Sequence, residues 1–464
     1  MKSIQPPHQL ASIGIAALLF STHSTATAAS FALDEHGTSG LGTAYAGGVA
    51  GAEDASTVWW NPAGMVLLKS RQLAISSAVI FTNFDVVDQG STLNPLLGGG
   101  PIPGRDGNTD QTGLVPSLYY VTPLNDRITL GLGVDAPFGL ATKYRAGWFG
   151  RYQALESDVF SLNANPNLAF KVTDKVALAV GVNAIYFRVK LTSAIDQSAV
   201  CLGLEGGGVF PMGTCASAGL MTPGNRATDG RAKVEVDDWG FGFNLGTMIT
   251  PTDNVRFGLT YRSKIDINSD GDGDFNDMSP LFTNPLVNLF TDTNAAVNIN
   301  LPASAAAGIF YQLNPRWAIM ADITWTDWST LPEVRVQFDN PNQPDAVESL
   351  NYNDSFAYRI GLHYQYNDHW KFRLGVAFDE SAMPNKKFAT PRVPTGDRTW
   401  IGIGANYTLS PRWTVDVGYA HLFYDTIKFD RTLETEIPPA NATLRAKTDD
   451  ESTDIFGVQF TWRF

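Results

Sequence analysis

Little of this sequence is charged, and almost none of it is long and apolar. Asp, Glu, Lys and Arg make up 17% of the 464 residues. The 33 basic residues face 46 acidic ones, for a formal net charge of −13. That balance offers phosphate no basic face and excludes a general nucleic-acid binder. The only long apolar run lies at the N-terminus, so a bundle of membrane helices, each needing roughly 20 apolar residues, is excluded. Only two cysteines and six histidines are present. What is plentiful is glycine (43) and aromatic residues (27 Phe, 15 Tyr, 11 Trp), which argues against disorder. At roughly 150 residues per domain the length suggests two or three domains, but the composition points elsewhere. A mean hydropathy of −0.09 suits a soluble all-β protein or an outer-membrane β-barrel, in which apolar and polar positions alternate and cancel.

The N-terminus reads as a secretory signal peptide over residues 1–28. Lys2 supplies the positive end, Leu10 to Phe20 the apolar stretch, and Ala26-Thr27-Ala28 the cleavage site. Its removal takes away one positive charge and leaves −14. Export fits the cysteines. Cys201 and Cys215 lie fourteen apart in a Gly-rich stretch with no other Cys or His nearby, so a disulfide rather than a metal site is expected.

The last residues carry a barrel signature. Phe456, Val458, Phe460, Trp462 and Phe464 alternate with Gly457, Gln459, Thr461 and Arg463. This is period two, with large apolar residues on one face, as a lipid-facing strand requires. Similar runs recur upstream, for example Val255, Phe257, Leu259 and Tyr261, or Trp370, Phe372, Leu374, Val376 and Phe378. Fourteen strands are expected near 70–87, 112–122, 127–136, 155–173, 175–194, 231–250, 254–269, 294–312, 315–338, 353–366, 369–380, 397–409, 412–425 and 452–464. Their connections alternate. Short turns such as Asn367-Asp368 and Ser410-Pro411 use Asn, Asp or Pro turn chemistry. The others are long: about 88–111, 137–154, 195–230, 270–293, 339–352, 381–396 and 426–451. Short periplasmic turns and long outer loops are the pattern of a bacterial barrel. Residues 29–69 do not alternate and are expected as a plug, leaving 70–464 for the barrel.

At these residues the chain resembles the FadL/TodX-type outer-membrane transporters of long-chain fatty acids and other hydrophobic compounds. The resemblance is carried by Ser30 to Glu35, Ser39 to Gly47, Asn61-Pro62-Ala63, Pro137 to Thr142, Arg256 to Lys264, Arg373 to Asp379 and Asp397 to Trp400. It implies an all-β fold, a 14-stranded antiparallel transmembrane β-barrel with an N-terminal hatch. It also implies that Phe31 points at the ligand and that Asn61, Pro62 and Ala63 belong to the hatch. Pro137, Phe138 and Gly139 match an inward kink of the third strand that opens the wall sideways. Pro and Gly suit such a break on physical grounds, since they remove or weaken ladder bonds. The implied function is passive transport in the outer membrane of a Gram-negative bacterium, without a cofactor. The expected partners are the bilayer and a long-chain fatty acid or other apolar molecule, and the chain is expected as a monomer.

Two outer loops carry apolar residues fit for ligand capture: Phe210 and Met212 in one, Phe282, Leu286, Leu289 and Phe290 in the other. The spacing of the last four suggests a helix that would have to hold Pro285 in its first turn. By strand parity Arg256, Arg262, Arg359, Lys371 and Arg373 point into the lumen, where they could meet a carboxylate or pair with acids such as Asp379 and Asp416. Ser193 stands where the fatty-acid pattern would place an arginine, so aromatic hydrocarbons and hydroxylated lipids remain open, as does export in place of uptake. Asp270, Asp272 and Asp274 alternate like calcium ligands, but Ser279 replaces the closing Glu, and a solvated acidic turn without metal is expected. A barrel lipase would need a Ser–His pair, and no nucleophile motif accompanies the histidines. An enzyme is therefore not expected. The plug-like segment and apolar loops argue against a general porin.

Overall fold

The computed structural model describes residues 30–435 and 441–464. The expected signal peptide, 1–28, lies outside them. The described chain forms a closed antiparallel barrel of fourteen strands. In chain order they are β1 (Gln72–Asp88), β2 (Gln111–Pro123), β3 (Ile128–Asp135, resuming at Gly139–Lys143), β4 (Glu156–Lys171), β5 (Val176–Asp196) and β6 (Asp229–Thr252). There follow β7 (Val255–Arg262 and Ile265–Asn276), β8 (Thr293–Leu301 and Ser304–Gln312), β9 (Trp317–Thr326 and Glu333–Phe338) and β10 (Ser355–Gln365). The last are β11 (Trp370–Asp379), β12 (Arg398–Ser410), β13 (Trp413–Tyr424) and β14 (Thr443–Arg463). The barrel closes because β1 pairs on one side with β2 (Leu73↔Tyr120) and on the other with β14 (Leu73↔Trp462).

The alternation in sequence becomes an inside and an outside. Phe257, Leu259, Ile360, Phe372, Leu374, Phe456 and Phe460 are exposed on the outer wall, where lipid replaces water as the solvent. Stacked aromatics such as Trp413–Trp462, with centroids 5.3 Å apart, lie near the periplasmic turns, as an interfacial girdle requires. The inner face against the inner chain is small or polar. Gly258 and Gly375 show why: a Cβ there would lie 2.1 Å from Val49 O and 2.0 Å from Thr43 O respectively, so only glycine admits the inner chain.

That inner chain is residues 30–69, folded as short turns inside the lumen. Helix α1 (Thr38–Leu41) packs on β12, β13 and β14, and α2 (Gly48–Gly51) on β7, β8 and β9. Helix α3 (Thr57–Trp60) leads into a 3-10 turn over Pro62–Leu67, which packs on β3, β4, β5 and β6 before the chain enters β1.

The structure departs from the sequence expectations in four places. First, β7, β8 and β9 are each interrupted rather than continuous, at 263–264, 302–303 and 327–332. Pro302 has no N–H to give to a ladder, and Trp328 turns inward to full burial. Second, β14 starts at Thr443, nine residues before the expected 452, and a short strand, Lys428–Thr432, pairs with its upper part. Above the membrane both faces of a strand can be wet, so Asp449, Asp450 and Glu451 gave no apolar alternation to read. Third, Phe282 to Phe290 is not one helix. The helix there spans only Pro280–Thr283 and stops before Pro285, which disfavours helical backbone in Asn284. Fourth, Asp270, Asp272 and Asp274 lie within β7. Residues two apart on one face of a strand stand roughly 7 Å apart and cannot converge on one ion. Asp274 instead pairs with Lys233 at 3.2 Å. No group of acids, His or Cys able to hold a metal occurs among the described residues.

Candidate functional site

Three cavities run down the barrel from its outer end. The outermost, about 200 Å³, opens between the loops and is lined by Leu191, Val234, Phe290, Val336, Arg392 and Arg431, among others. A second, about 50 Å³, shares Leu191, Val334, Glu348 and Arg392 with the first and reaches Phe31 and Phe187. The third, about 140 Å³, touches Ala32, Leu33, Pro137, Phe138, Arg262 and Ile265.

Phe31 occupies the junction. Its ring centroid lies 5.1 Å from Trp328, 5.7 Å from Phe138 and 6.4 Å from Phe187, within a buried apolar cluster that spans the upper lumen. The backbone beside it holds the kink. Leu33 N–H donates to Pro137 O and Gly139 N–H to Phe31 O, both at 2.9 Å, and Ala32 bridges Phe138. Phe138 N–H donates to Ser161 Oγ at 2.9 Å, and Ser161 Oγ–H donates back to Phe138 O at 2.6 Å. Pro137 and Phe138 have thus left the wall ladder, and the stretch pairs with the N-terminal chain. The β2–β3 ladder runs from Pro123↔Thr129 only as far as Leu118↔Val134, although β2 itself continues to Gln111. Above that point β3 resumes on β4 alone, from Gly139↔Phe160 to Lys143↔Glu156.

The hatch residues are tied to the wall. Asn61 is fully buried. Its Oδ1 accepts from Ala63 N–H at 3.1 Å, and its Nδ2 donates to Val49 O at 2.8 Å and to Thr247 O on β6 at 3.0 Å. Pro62 opens the 3-10 turn, where its missing N–H costs nothing, and Ala63 is fully buried behind it.

All four lumen arginines point inward, and all four are already engaged. Arg256 donates to Gly51 O at 2.6 Å. Arg262 donates to Trp59 O at 2.5 Å and Asn183 Oδ1 at 2.8 Å, and stacks 3.5 Å over the Trp59 ring. Arg359 pairs with Asp34 at 2.9 Å. Arg373 bridges Asp416 at 2.6 Å and Glu53 at 2.9 Å, and Glu53 also receives Lys371 and His363. Asp379, the other inward acid, pairs with Arg398. These contacts lock the inner chain to the wall. Of the four, only Arg262 lines one of the three cavities.

The basic residues beside the upper cavities are different ones, Arg392 and Arg431. Arg392 Nε pairs with Glu348 at 3.0 Å, and its Nη1 donates to Thr192 O at 3.2 Å. Arg431 pairs with Glu434 at 3.1 Å. Arg392 lies in an outer loop and Arg431 in the short strand Lys428–Thr432, both in stretches whose sequence carries no strand parity to read. The Pro-rich stretch Thr390 to Pro394 is the one local sign that Arg392 is held rigidly.

Of the six apolar loop residues, Phe290 alone lines a cavity. Phe210, Phe282 and Leu289 are buried with Cys201 and Cys215 in a separate core where the two loops meet. Met212 and Leu286 project into solvent, 86% and 96% exposed. The disulfide Cys201–Cys215 is present. It joins helix α4 (Gln197–Gly206) to α5 (Thr214–Ser217). Glu205 reinforces it by accepting from Gly213 N–H and Cys215 N–H, each at 2.9 Å. Those bonds hold its carboxyl below the usual range.

Known proteins share this architecture and much of the sequence. Residues 19–464 match the family of outer membrane protein transport proteins (OMPP1/FadL/TodX). The chain is 28% identical over 465 residues to a long-chain fatty acid transport protein of Escherichia coli O6:H1 strain CFT073, covering 97% of this chain and 98% of that one. It is 30% identical over 464 residues to outer membrane protein P1 of Haemophilus influenzae, covering 95% and 96%. Its fold is similar to the crystal structure of a Pseudomonas aeruginosa FadL homologue, with a TM-score of 0.84 at 23% identity over 94% of this chain and 100% of that one. The toluene transporter TodX of Pseudomonas putida overlays with a TM-score of 0.64 at 19% identity, covering 88% and 94%. With a match over nearly its whole length and a closed, lipid-facing barrel, the chain belongs to the OMPP1/FadL/TodX family of outer-membrane transport proteins.

Proposed function

We propose that this protein passes long-chain fatty acids or similar apolar molecules across the outer membrane by passive lateral diffusion. The observation that carries the reading is the inward fold at Pro137 and Phe138, next to a cavity of about 140 Å³ that both residues line. A ligand enters the outer cavity, passes Phe31, and leaves sideways where the β2–β3 ladder stops. Lateral exit suits an apolar solute, because it never has to enter the periplasmic water. The locked inner chain blocks the vertical route to ions and sugars. Diffusion through a wall gap is reversible, so the concentration gradient sets the direction.

The lipase alternative finds no support at the histidines. His363 is buried against Glu53 at 2.8 Å in the lumen cluster, and His421 pairs with Asp454 at 2.8 Å.

The test is uptake of radiolabelled hexadecanoic acid or toluene by cells carrying the protein in their outer membrane. Removing Ala136–Phe138 lets β3 run straight and keeps Leu140 and Thr142 inward. Passage through the β3 opening is expected to stop in that variant and in a chain lacking residues 31–69. Undiminished uptake in both sinks the mechanism.

A further inference from the structure

The wall has a second weak line. On β6, Asn244 pairs with Arg262 of β7, and the next pair above it is Asp237↔Asp270. Residues 238–243 and 263–269 between these points form no ladder. At the lower end of this stretch Ser263 N–H donates to Phe243 O at 2.9 Å and Phe243 N–H to Ser263 Oγ at 2.9 Å. Side chains close the gap. A Cβ on Gly240 would lie 2.2 Å from Ile267 Cδ1 and 2.5 Å from Ile265 Cγ2, and one on Gly242 would lie 2.6 Å from Ile265 Cγ1. Two isoleucines therefore fill the space that two glycines leave.

Three further facts give this line a direction. Outside it, Trp239, Phe241 and Phe243 face lipid. Inside it, Ser263 and Ile265 line the same cavity that touches Pro137 and Phe138. The register Gly240↔Ile185↔Asn163↔Asp135 connects it across β5 and β4 to the residue just before the β3 kink. An interrupted ladder facing hydrocarbon is costly, because lipid cannot satisfy free backbone groups.

We propose that this line is a second lateral passage, between β6 and β7, gated by Ile265 and Ile267, for the same apolar molecules. The proposal rests on the lateral-diffusion reading above. The cavity beside the hatch then has two exits, one at the β2–β3 break and one at the β6–β7 break, with β3, β4, β5 and β6 between them. The β3 exit is held open by backbone bonds to residues 31–33. The β6–β7 exit is held shut by side-chain packing and opens when the isoleucines rotate away from the glycines.

The experiment uses the full chain in the outer membrane of cells, with uptake of hexadecanoic acid and toluene as readout. Heat-modifiable gel migration verifies that each barrel is folded. The starting variant lacks Ala136–Phe138. It is expected to keep a residual uptake above vector-only cells. Adding Gly240→Cys and Ile267→Cys lowers that residue to the vector level under oxidising conditions, and a reductant restores it. The same reductant leaves the starting variant unchanged. Adding Ile265→Ala and Ile267→Ala instead raises the residue about tenfold by lowering the gating barrier. If the starting variant shows only vector-level uptake and the alanine pair does not raise it, the second passage is overturned. A residue that the oxidised cysteine pair leaves untouched overturns it as well. If the unaltered protein takes up neither probe, it is the transport reading that fails.

Discussion

The lower and upper lumen of this barrel are built on opposite principles. The lower lumen is crowded with polar contacts. Arg373, Glu53, Asp416, Lys371 and His363 form one ion cluster, and Arg256 and Arg262 reach across to hatch carbonyls. Inward glycines let the hatch backbone touch the wall. The upper lumen is apolar, from Phe31 and Phe187 to Val234 and Val336, and encloses connected cavities. Its basic residues are paired, Arg392 with Glu348 and Arg431 with Glu434. Polar, directional contacts suit a part that must stay put and exclude water, while non-directional apolar walls suit a part that must let a ligand slide. On the proposed function, the contrast separates the seal from the path.

The largest test of that contrast is on the seal. Arg373→Ala leaves Asp416 buried without its ion-pair partner and takes one of three basic partners from Glu53, and breaking a buried pair costs about 3 kcal/mol or more. We expect a lower urea midpoint and a rise in single-channel conductance as the hatch loosens. Unchanged conductance would mean that the ion cluster does not hold the seal. Next comes the roof of the path. Cys201→Ser removes the link that closes the 14-residue separation, worth about 3 kcal/mol to the local fold in the chain-entropy model. Protease nicking between 197 and 228 should accelerate while the barrel's unfolding midpoint holds.

A smaller effect is expected in the path itself. Glu348 occupies Arg392, so a ligand carboxylate must compete for that guanidinium. Glu348→Gln should tighten hexadecanoate binding by about fivefold, on the order of 1 kcal/mol, and leave toluene binding alone. Equal tightening of both would show that size rather than charge had changed. The least effect comes from acid at the loops. The carboxyl of Glu205 sits below its ordinary value of 4.5, so its stabilisation of the α4–α5 loop is present above that pH. It is lost as pH falls through the lowered value. Hydrogen exchange at Gly213 and Cys215 should rise with acid in the native protein, and Glu205→Gln should flatten that response.

Much of the architecture was legible in the chain because a membrane strand obeys a strict rule: every second side chain meets lipid. Phe372, Leu374 and Val376 could be placed outside and Arg373 inside from parity alone. The rule lapses where both faces are wet, which is why the upper part of β14 read as loop. It also says nothing about loops. Arg392 and Arg431 beside the cavities went unread, and Phe210, Phe282 and Leu289 looked like a capture surface although they form a closed core. Apolar loop residues bury themselves against whatever neighbour the fold supplies, and sequence does not name that neighbour.

The sequence by itself determined the number of strands, their inside and outside, the alternation of turns and loops, and the glycines and arginines that face the lumen. These are local properties, set by a period of two and by the solvent on each face. Only the tertiary structure decided which arginines bind the inner chain and which border the upper cavities, and that the β6–β7 ladder breaks between Asn244 and Asp237. Those depend on closing the barrel, which brings Arg373 to Glu53 across 320 residues and sets two breaks in the wall against one cavity.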